Sequence, residues 1–111
     1  MEITYEDFIK VKIHVGTVLS VKNNEKARKP SLILEVDFGK EIGVKTSSAQ
    51  ITHYYNSVNL VGKQIIAVCN FPTKNIADII SEVLILGAVD NEHKVVLLHP
   101  SQPVKNGLKI Y

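Results

Sequence analysis

Apolar and polar residues alternate through two segments of the first third of this chain. The alternation covers residues 11–21 and returns at residues 32–38, where Glu35 and Asp37 are polar members. Side chains two positions apart on a β-strand lie on the same face, so the pattern predicts the first two half-buried strands of a meander. Gly16 interrupts the first strand and predicts a bulge or bend, which would let one strand serve two sides of a small barrel.

Five or more short strands, with a short helix between the third and the fourth, are predicted along the chain. This order predicts an all-β fold, a five-stranded OB-fold barrel in which that helix plugs one end. Additional elements at the N- and C-termini lie outside the barrel. The later strands are predicted at residues 42–46, 64–70, 82–87, 94–98 and 108–111, and the helices at residues 4–10, capped by Thr4, and 47–55, opened by Ser47.

The composition indicates one domain and no membrane span. With 111 residues, of which 45% are hydrophobic, the chain can form one core, so residues 1–111 are expected to be a single domain. The longest uncharged apolar run, residues 83–89, is far shorter than the roughly 20 residues that a membrane helix needs. The N-terminus lacks the basic start of a signal peptide, so the expected location is the cytoplasm. The single cysteine, Cys69, lies in an apolar strand and is expected to be a buried structural thiol.

Charge is weakly positive overall and unevenly distributed. Thirteen Lys and Arg against eleven Asp and Glu give a net charge of +2, which by itself does not indicate a nucleic-acid partner. Residues 22–30 carry four positive charges and one negative charge, whereas residues 1–9 are acidic. The basic loop is therefore either a solvated connection or part of a binding surface.

The chain lacks the sequence patterns of a catalytic or metal site. Its histidines are scattered, its cysteine is single, and it has neither a Gly-rich phosphate loop nor a Gly-x-Ser-x-Gly elbow. Ser47 and Ser48 have no adjacent partner that would mark a nucleophile. We therefore expect a protein that is not an enzyme and that has no cofactor and no bound metal. The four histidines are His14, His53, His93 and His99.

The end of the predicted fourth strand forms a polar rim. The apolar strand stops at Asn70, Pro72 ends the hydrogen-bond ladder because it has no N–H, and Lys74 adds charge where the chain leaves the sheet. Polar side chains delivered by a rigid strand suit binding better than catalysis.

Five motifs follow one another in a recognisable order. They are Lys12-Ile13-His14-Val15-Gly16-Thr17-Val18, the stretch 36–43, the stretch 46–52, Leu60-Val61-Gly62-Lys63, and Asn70-Phe71-Pro72 followed by Ser81-Glu82-Val83-Leu84. Together they make the chain resemble the tRNA-binding domain family over nearly its whole length, and most closely the free-standing CsaA-type members. The resemblance implies a homodimeric OB-fold protein that binds tRNA by its structure, through a polar and basic barrel rim, without catalysis.

The resemblance also implies which residues face the RNA. Three positions depart from the family pattern: Asp78 stands where the family tends to have glycine, and Asn75 and Ile80 make the region less basic. An added carboxylate and missing cations beside Lys74 are expected to weaken phosphate contacts. The implied RNA-binding residues are Arg28, Lys45, Ser48, Asn70, Lys74 and Ser81, with support from Lys26 and Lys29.

An export-related molecular chaperone is the alternative function that the resemblance implies. It would bind unfolded polypeptides in an apolar groove of the dimer, and Ile33, Ile76, Ile79 and Ile80 would favour it if they shared a surface. The terminal additions carry more apolar residues than a small monomer easily covers, so they predict a homodimer interface, unless both ends fold back onto their own barrel. These residues are Tyr5, Phe8, Ile9, Leu108, Ile110 and Tyr111.

Overall fold

Antiparallel pairing of the alternating segments builds a nearly closed barrel in the computed structural model, which describes residues 1–111. The principal sheet has five strands in the order β3-β2-β1-β4-β7, and two hairpins, β5–β6 and β8–β9, lie beside it. The predicted all-β barrel is confirmed. Its elements are α1 (Tyr5–Ile9), β1 (Ile13–Asn23), β2 (Leu32–Asp37), β3 (Val44–Ala49), α2 (Ser57–Leu60), β4 (Gln64–Val68), β5 (Lys74–Ile76), β6 (Ile79–Ser81), β7 (Leu84–Ile85), β8 (Gly87–Val89) and β9 (Val95–Leu97).

The segment between β6 and β7 closes the barrel against β3. The Glu82 N–H donates to the Thr46 carbonyl at 2.8 Å, and the Ser47 hydroxyl donates to the Val83 carbonyl at 3.1 Å. Ser47 is almost fully buried, so this bond satisfies a polar group inside the barrel. The strand predicted at residues 82–87 is thus divided between this closing segment, β7 and the start of β8.

Eleven buried apolar residues form the core between the strands. Phe38 lies next to Gly16, and a Cβ atom added to Gly16 would lie 2.6 Å from Val36 Cγ1 and 2.7 Å from Phe38 Cδ1. Gly16 is therefore required by close packing. The bulge predicted there is wrong in position, because the register with β2 shifts between Val18 and Ser20 instead.

The helix predicted at residues 47–55 is wrong in position. Ser47 and Ser48 belong to β3, where they pair in register with Leu34 and Ile33 of β2. The helix between β3 and β4 starts later, where the Asn56 side chain accepts hydrogen bonds from Val58 N and Asn59 N. Asparagine caps a helix as well as serine does, and the Ser47 hydroxyl of β3 bonds within the barrel instead. Leu60 of this helix is buried in the core.

The two terminal additions meet the same end of β1. The predicted Thr4 cap of α1 is confirmed, and it forms a capping box in which Thr4 and Asp7 exchange hydrogen bonds of 3.1 Å. The C-terminal tail folds back along β1, with Gly107 N donating to Val15 O at 2.7 Å and Ile110 N donating to Ile13 O at 2.9 Å. The strand predicted at residues 108–111 is reduced to one β-bridge. No helix is both long and apolar enough to cross a membrane.

Candidate nucleic-acid interface

A groove on the barrel rim runs between the loop of residues 24–31 and the β5–β6 hairpin. It consists of two adjoining cavities of about 420 and 340 Å³, which share Ser48 and Ile76 in their walls. We call the first the basic cavity and the second the Phe71 cavity. The basic cavity is also lined by Lys26, Ala27, Arg28, Lys29, Ser31, Gln50 and Ala77. The Phe71 cavity is also lined by Phe71, Pro72, Lys74, Ser81, Glu82, Val83 and Leu84.

Asn24 fixes the shape of the basic loop. Its backbone N–H donates to Ser31 O at 3.0 Å, its carbonyl accepts from Ala27 N at 3.3 Å, and its side-chain Oδ1 accepts from Lys26 N at 3.2 Å. Asn24 is buried while Arg28 is exposed. The loop backbone is therefore anchored around the buried Asn24, while the loop cations face the groove and solvent.

The β5–β6 hairpin ends in a two-residue turn with left-handed backbone. Ala77 has φ +48° and Asp78 has φ +68°, as a type I′ hairpin turn requires. Asn75 Oδ1 accepts from Asp78 N at 3.1 Å and holds the turn. The carboxylate of Asp78 lies 3.0 Å from Lys26 Nζ across the groove, with both side chains 72% exposed. The carboxylate of Asp78 is therefore paired with a cation of the basic loop, Lys26.

Three of the predicted binding residues lie together on the hairpin side of the groove. Lys74 pairs in register with Ser81, and the Ser81 hydroxyl accepts from Ser48 N at 3.1 Å. Lys45 lies on the same strand as Ser48, but its Nζ is 3.8 Å from Glu82 Oε2, so its charge is partly balanced. Arg28 lines the other cavity, which it shares with Ser48.

Asn70 lines neither cavity and lies at the junction between α1 and β1. Its Oδ1 accepts from Lys12 N at 2.9 Å, and its Nδ2 donates to Lys10 O at 2.7 Å. These bonds attach the start of β1 to the end of β4. Asn70 thus positions the chain just before Phe71, and its amide has one N–H left for a ligand.

Cys69 lies between the core and the rim. Its thiol is half-buried, and desolvation raises its pKa to about 11, while the nearby Lys45 ammonium acts in the opposite direction. A thiol with this pKa is protonated at neutral pH and is a weak nucleophile. The expected structural thiol is partly exposed rather than fully buried.

Several groove residues were not anticipated from the sequence. Ser31 and Gln50 line the basic cavity, and Leu84 lines the Phe71 cavity with its side chain exposed. Ser31 lies outside the five motifs and just beyond the charged cluster, whereas Gln50 lies within the stretch 46–52. No periodicity or charge signal distinguishes either residue. Phe71 belongs to a motif, and its exposure could have been inferred from the proline that follows it.

The isoleucines that could discriminate RNA from peptide binding do not share one surface. Ile33 is buried, Ile76 lines both cavities, and Ile80 is exposed on the hairpin. Among the apolar residues of the terminal additions, Tyr5, Leu108 and Tyr111 are exposed. Phe8, Ile9 and Ile110 are partly buried.

Known proteins with related sequences and structures share this barrel. The family model described as "Putative tRNA binding domain" matches residues 13–109. A methionine–tRNA ligase of Pyrococcus horikoshii is 37% identical over 108 residues, which are 97% of this chain and 14% of the ligase. The chain thus spans a small part of that enzyme.

Two solved structures match the whole fold. One is the chaperone CsaA from Bacillus anthracis, with a TM-score of 0.93, 47% identity and 100% of each chain covered. The other is the CsaA chaperone protein from Picrophilus torridus, with a TM-score of 0.92, 48% identity, and 99% of this chain and 100% of that one covered. This chain therefore belongs to the tRNA-binding domain family, and it resembles CsaA-type members of that family over its whole length.

Proposed function

We propose that this protein binds tRNA through the rim groove and does not catalyse a reaction. The observation that carries the proposal is the continuity of the groove, in which basic and hydroxyl side chains from the loop, β3 and the hairpin line two adjoining cavities. Structured RNA is recognised largely through its phosphates, 2′-hydroxyls and shape, and such contacts need Lys, Arg and Ser side chains held in place.

The charge pairing within the groove indicates which cations would contact phosphates. Arg28, Lys29 and Lys74 are in no ion pair, whereas Lys26 is paired with Asp78 and Lys45 with Glu82. Unpaired cations can bind a phosphate without first losing a carboxylate partner. We therefore expect Arg28 and Lys74 to contribute most, with one located in each cavity.

A titration with bulk tRNA at several salt concentrations tests this proposal. The logarithm of the affinity should fall with the logarithm of the salt concentration, with a slope of roughly 0.7 to 0.9 per neutralised phosphate. Lys74→Ala should lower that slope by about one. The combined change Arg28→Ala, Lys45→Ala and Lys74→Ala should weaken binding of all tRNAs alike, because phosphate contacts carry no sequence information.

Lys63→Ala is the matched control for the loss of a lysine charge. Lys63 is exposed and precedes β4, at the opposite end of that strand from Asn70. The Lys63→Ala substitution should leave both the tRNA affinity and its salt slope nearly unchanged. Undetectable tRNA binding at low salt, or a triple variant that binds as well as the natural chain, would contradict the proposal.

Chaperone binding of unfolded polypeptides is the second candidate function. It is supported by the exposed apolar side chains of Phe71 and Leu84 in the Phe71 cavity, and two structurally similar proteins are named as CsaA chaperones. Under this alternative, Phe71→Ala would weaken capture of an unfolded peptide at high salt, while Lys74→Ala would have little effect. If Lys74→Ala instead weakens tRNA binding more than Phe71→Ala does, the result supports RNA binding.

We also propose that the protein is a cytoplasmic homodimer. The exposed Tyr5, Leu108 and Tyr111 belong to elements that meet the same end of β1, which would allow one twofold contact. Removing residues 107–111 should convert the dimer to a monomer in light scattering, with Leu108→Asp as a point variant that leaves the tail in place. A natural chain that is already monomeric at micromolar concentration would contradict this proposal.

A further inference from the structure

Two buried side-chain atoms next to the groove have no hydrogen-bond partner within the protein. They are Asn24 Nδ2 and Ser31 Oγ, in residues that are only 7% and 4% exposed. A buried polar group left unpaired costs about 1 to 3 kcal/mol, and nearly all such groups in folded proteins are paired. Asn24 Nδ2 can only donate and the Ser31 hydroxyl can donate, so both atoms suit an acceptor-rich ligand.

The surroundings of Ser31 are positively charged. Ser31 lines the basic cavity together with Lys26, Arg28 and Lys29. Asp78 is the acidic group that contacts one of these cations, and Glu25 of the same loop does not line the cavity. The backbone and Oδ1 of Asn24 hold the loop closed, and the Asn24 N–H donates to the Ser31 carbonyl.

We propose that the basic cavity is a phosphate subsite, in which one backbone phosphate of bound RNA is held by Arg28 and Lys29 and by a hydrogen bond from Ser31. The proposal rests on the proposed function and specifies where one phosphate lies. A phosphate group combines negative charge with several acceptor oxygens, which matches a set of cations and unpaired donors. Ser31 lines the cavity and its hydroxyl is buried in the wall, so the proposal requires the hydroxyl to turn toward the ligand about its χ1 bond.

Inorganic phosphate is the probe, since its binding to the cavity can be measured without any RNA. Amide ¹H–¹⁵N spectra of the full chain would be recorded while phosphate replaces chloride at constant ionic strength. Saturable shifts are expected at residues 24–31, 48 and 50. Ser31→Ala should lower the phosphate affinity roughly threefold to tenfold, the worth of one hydrogen bond. It should not lower stability, because it removes an unpaired hydroxyl. Ser101→Ala, in an exposed residue outside the groove, is the matched control.

The same variants in the tRNA titration separate this inference from the proposed function. Support requires that phosphate competes with tRNA and that Ser31→Ala weakens both ligands. Suppose that tRNA binds, that phosphate shifts no loop amide signal, and that Ser31→Ala binds tRNA normally. The assignment of the basic cavity as a phosphate subsite is then wrong, while the proposed function stands. If phosphate shifts the loop amide signals but tRNA does not bind, the bound phosphate does not come from RNA and the cavity holds free phosphate.

Discussion

The barrel core and the rim groove are held together by different kinds of interaction. The core is an apolar cluster of eleven buried residues, enclosed by strands that pair in antiparallel ladders. The groove is shaped by polar bonds from Asn24, Asn75 and Ser81 and by one exposed ion pair. A scaffold stabilised by burial can thus carry a binding surface whose residues contribute little to stability, so the two properties should respond separately to substitution.

Truncation of a core residue should have the largest effect on stability. Leu34 is fully buried at the centre of β2, and Leu34→Ala should lower the free energy of unfolding by about 2 to 5 kcal/mol through lost burial and a residual cavity. Denaturant unfolding measures this change. Leu84→Ala, in a half-exposed groove residue, should lower it much less. Equal losses in the two variants would remove the distinction between core and groove.

Close packing at Gly16 should produce the next largest effect. Gly16→Ala places a methyl group against Val36 and Phe38, and overpacking of this kind costs about 1 to 3 kcal/mol. The double variant Gly16→Ala, Val36→Ala should be more stable than the sum of the single losses predicts, because the missing methyl groups of Val36 make room. Strict additivity, measured by denaturant unfolding, would show that the glycine is not required by this contact.

Removal of the carboxylate that crosses the groove should raise tRNA affinity with little change in stability. Asp78→Asn keeps a residue that tolerates left-handed backbone and frees Lys26. Exposed ion pairs are worth about 0 to 1 kcal/mol, so the affinity should rise by at most about fivefold. Glu92→Gln removes a carboxylate from another exposed ion pair, with Lys94 on the β8–β9 hairpin side, and should change nothing in the same titration. Weaker binding by Asp78→Asn would contradict the assignment.

The smallest effect is expected for Cys69, at the boundary between core and rim, and it concerns only the reactivity of the thiol. Because the pKa of Cys69 is raised from 9.0 to about 11, its thiolate fraction at pH 8 should be about a hundredfold lower than that of an unperturbed thiol. Alkylation of the folded protein should therefore accelerate up to about pH 11, and that of denatured protein only up to about pH 9. A midpoint near 9 in the folded protein would show that burial does not perturb this thiol.

The sequence predicted the core better than the groove for a physical reason. Alternation at residues 11–21 and 32–38 reports which face of a strand is buried, and that face forms the core. The groove depends on contacts between residues far apart in sequence, such as Lys26 with Asp78 and Ser48 with Ser81. No local pattern encodes such contacts. The motifs still identified Ser48, Lys74 and Ser81, which do lie together, whereas the bonds of Asn70 to residues 10 and 12 appear only in the folded chain.

Hydrogen–deuterium exchange with and without bulk tRNA tests most directly the claim that the rim groove is the binding surface. Backbone amides at residues 24–31 and 71–84 should exchange more slowly when tRNA is bound at low salt. The β8–β9 hairpin and residues 57–63 should be unaffected. Protection confined to the β8–β9 hairpin or to α2, with unchanged exchange in the basic loop and the β5–β6 hairpin, would contradict binding at the rim groove.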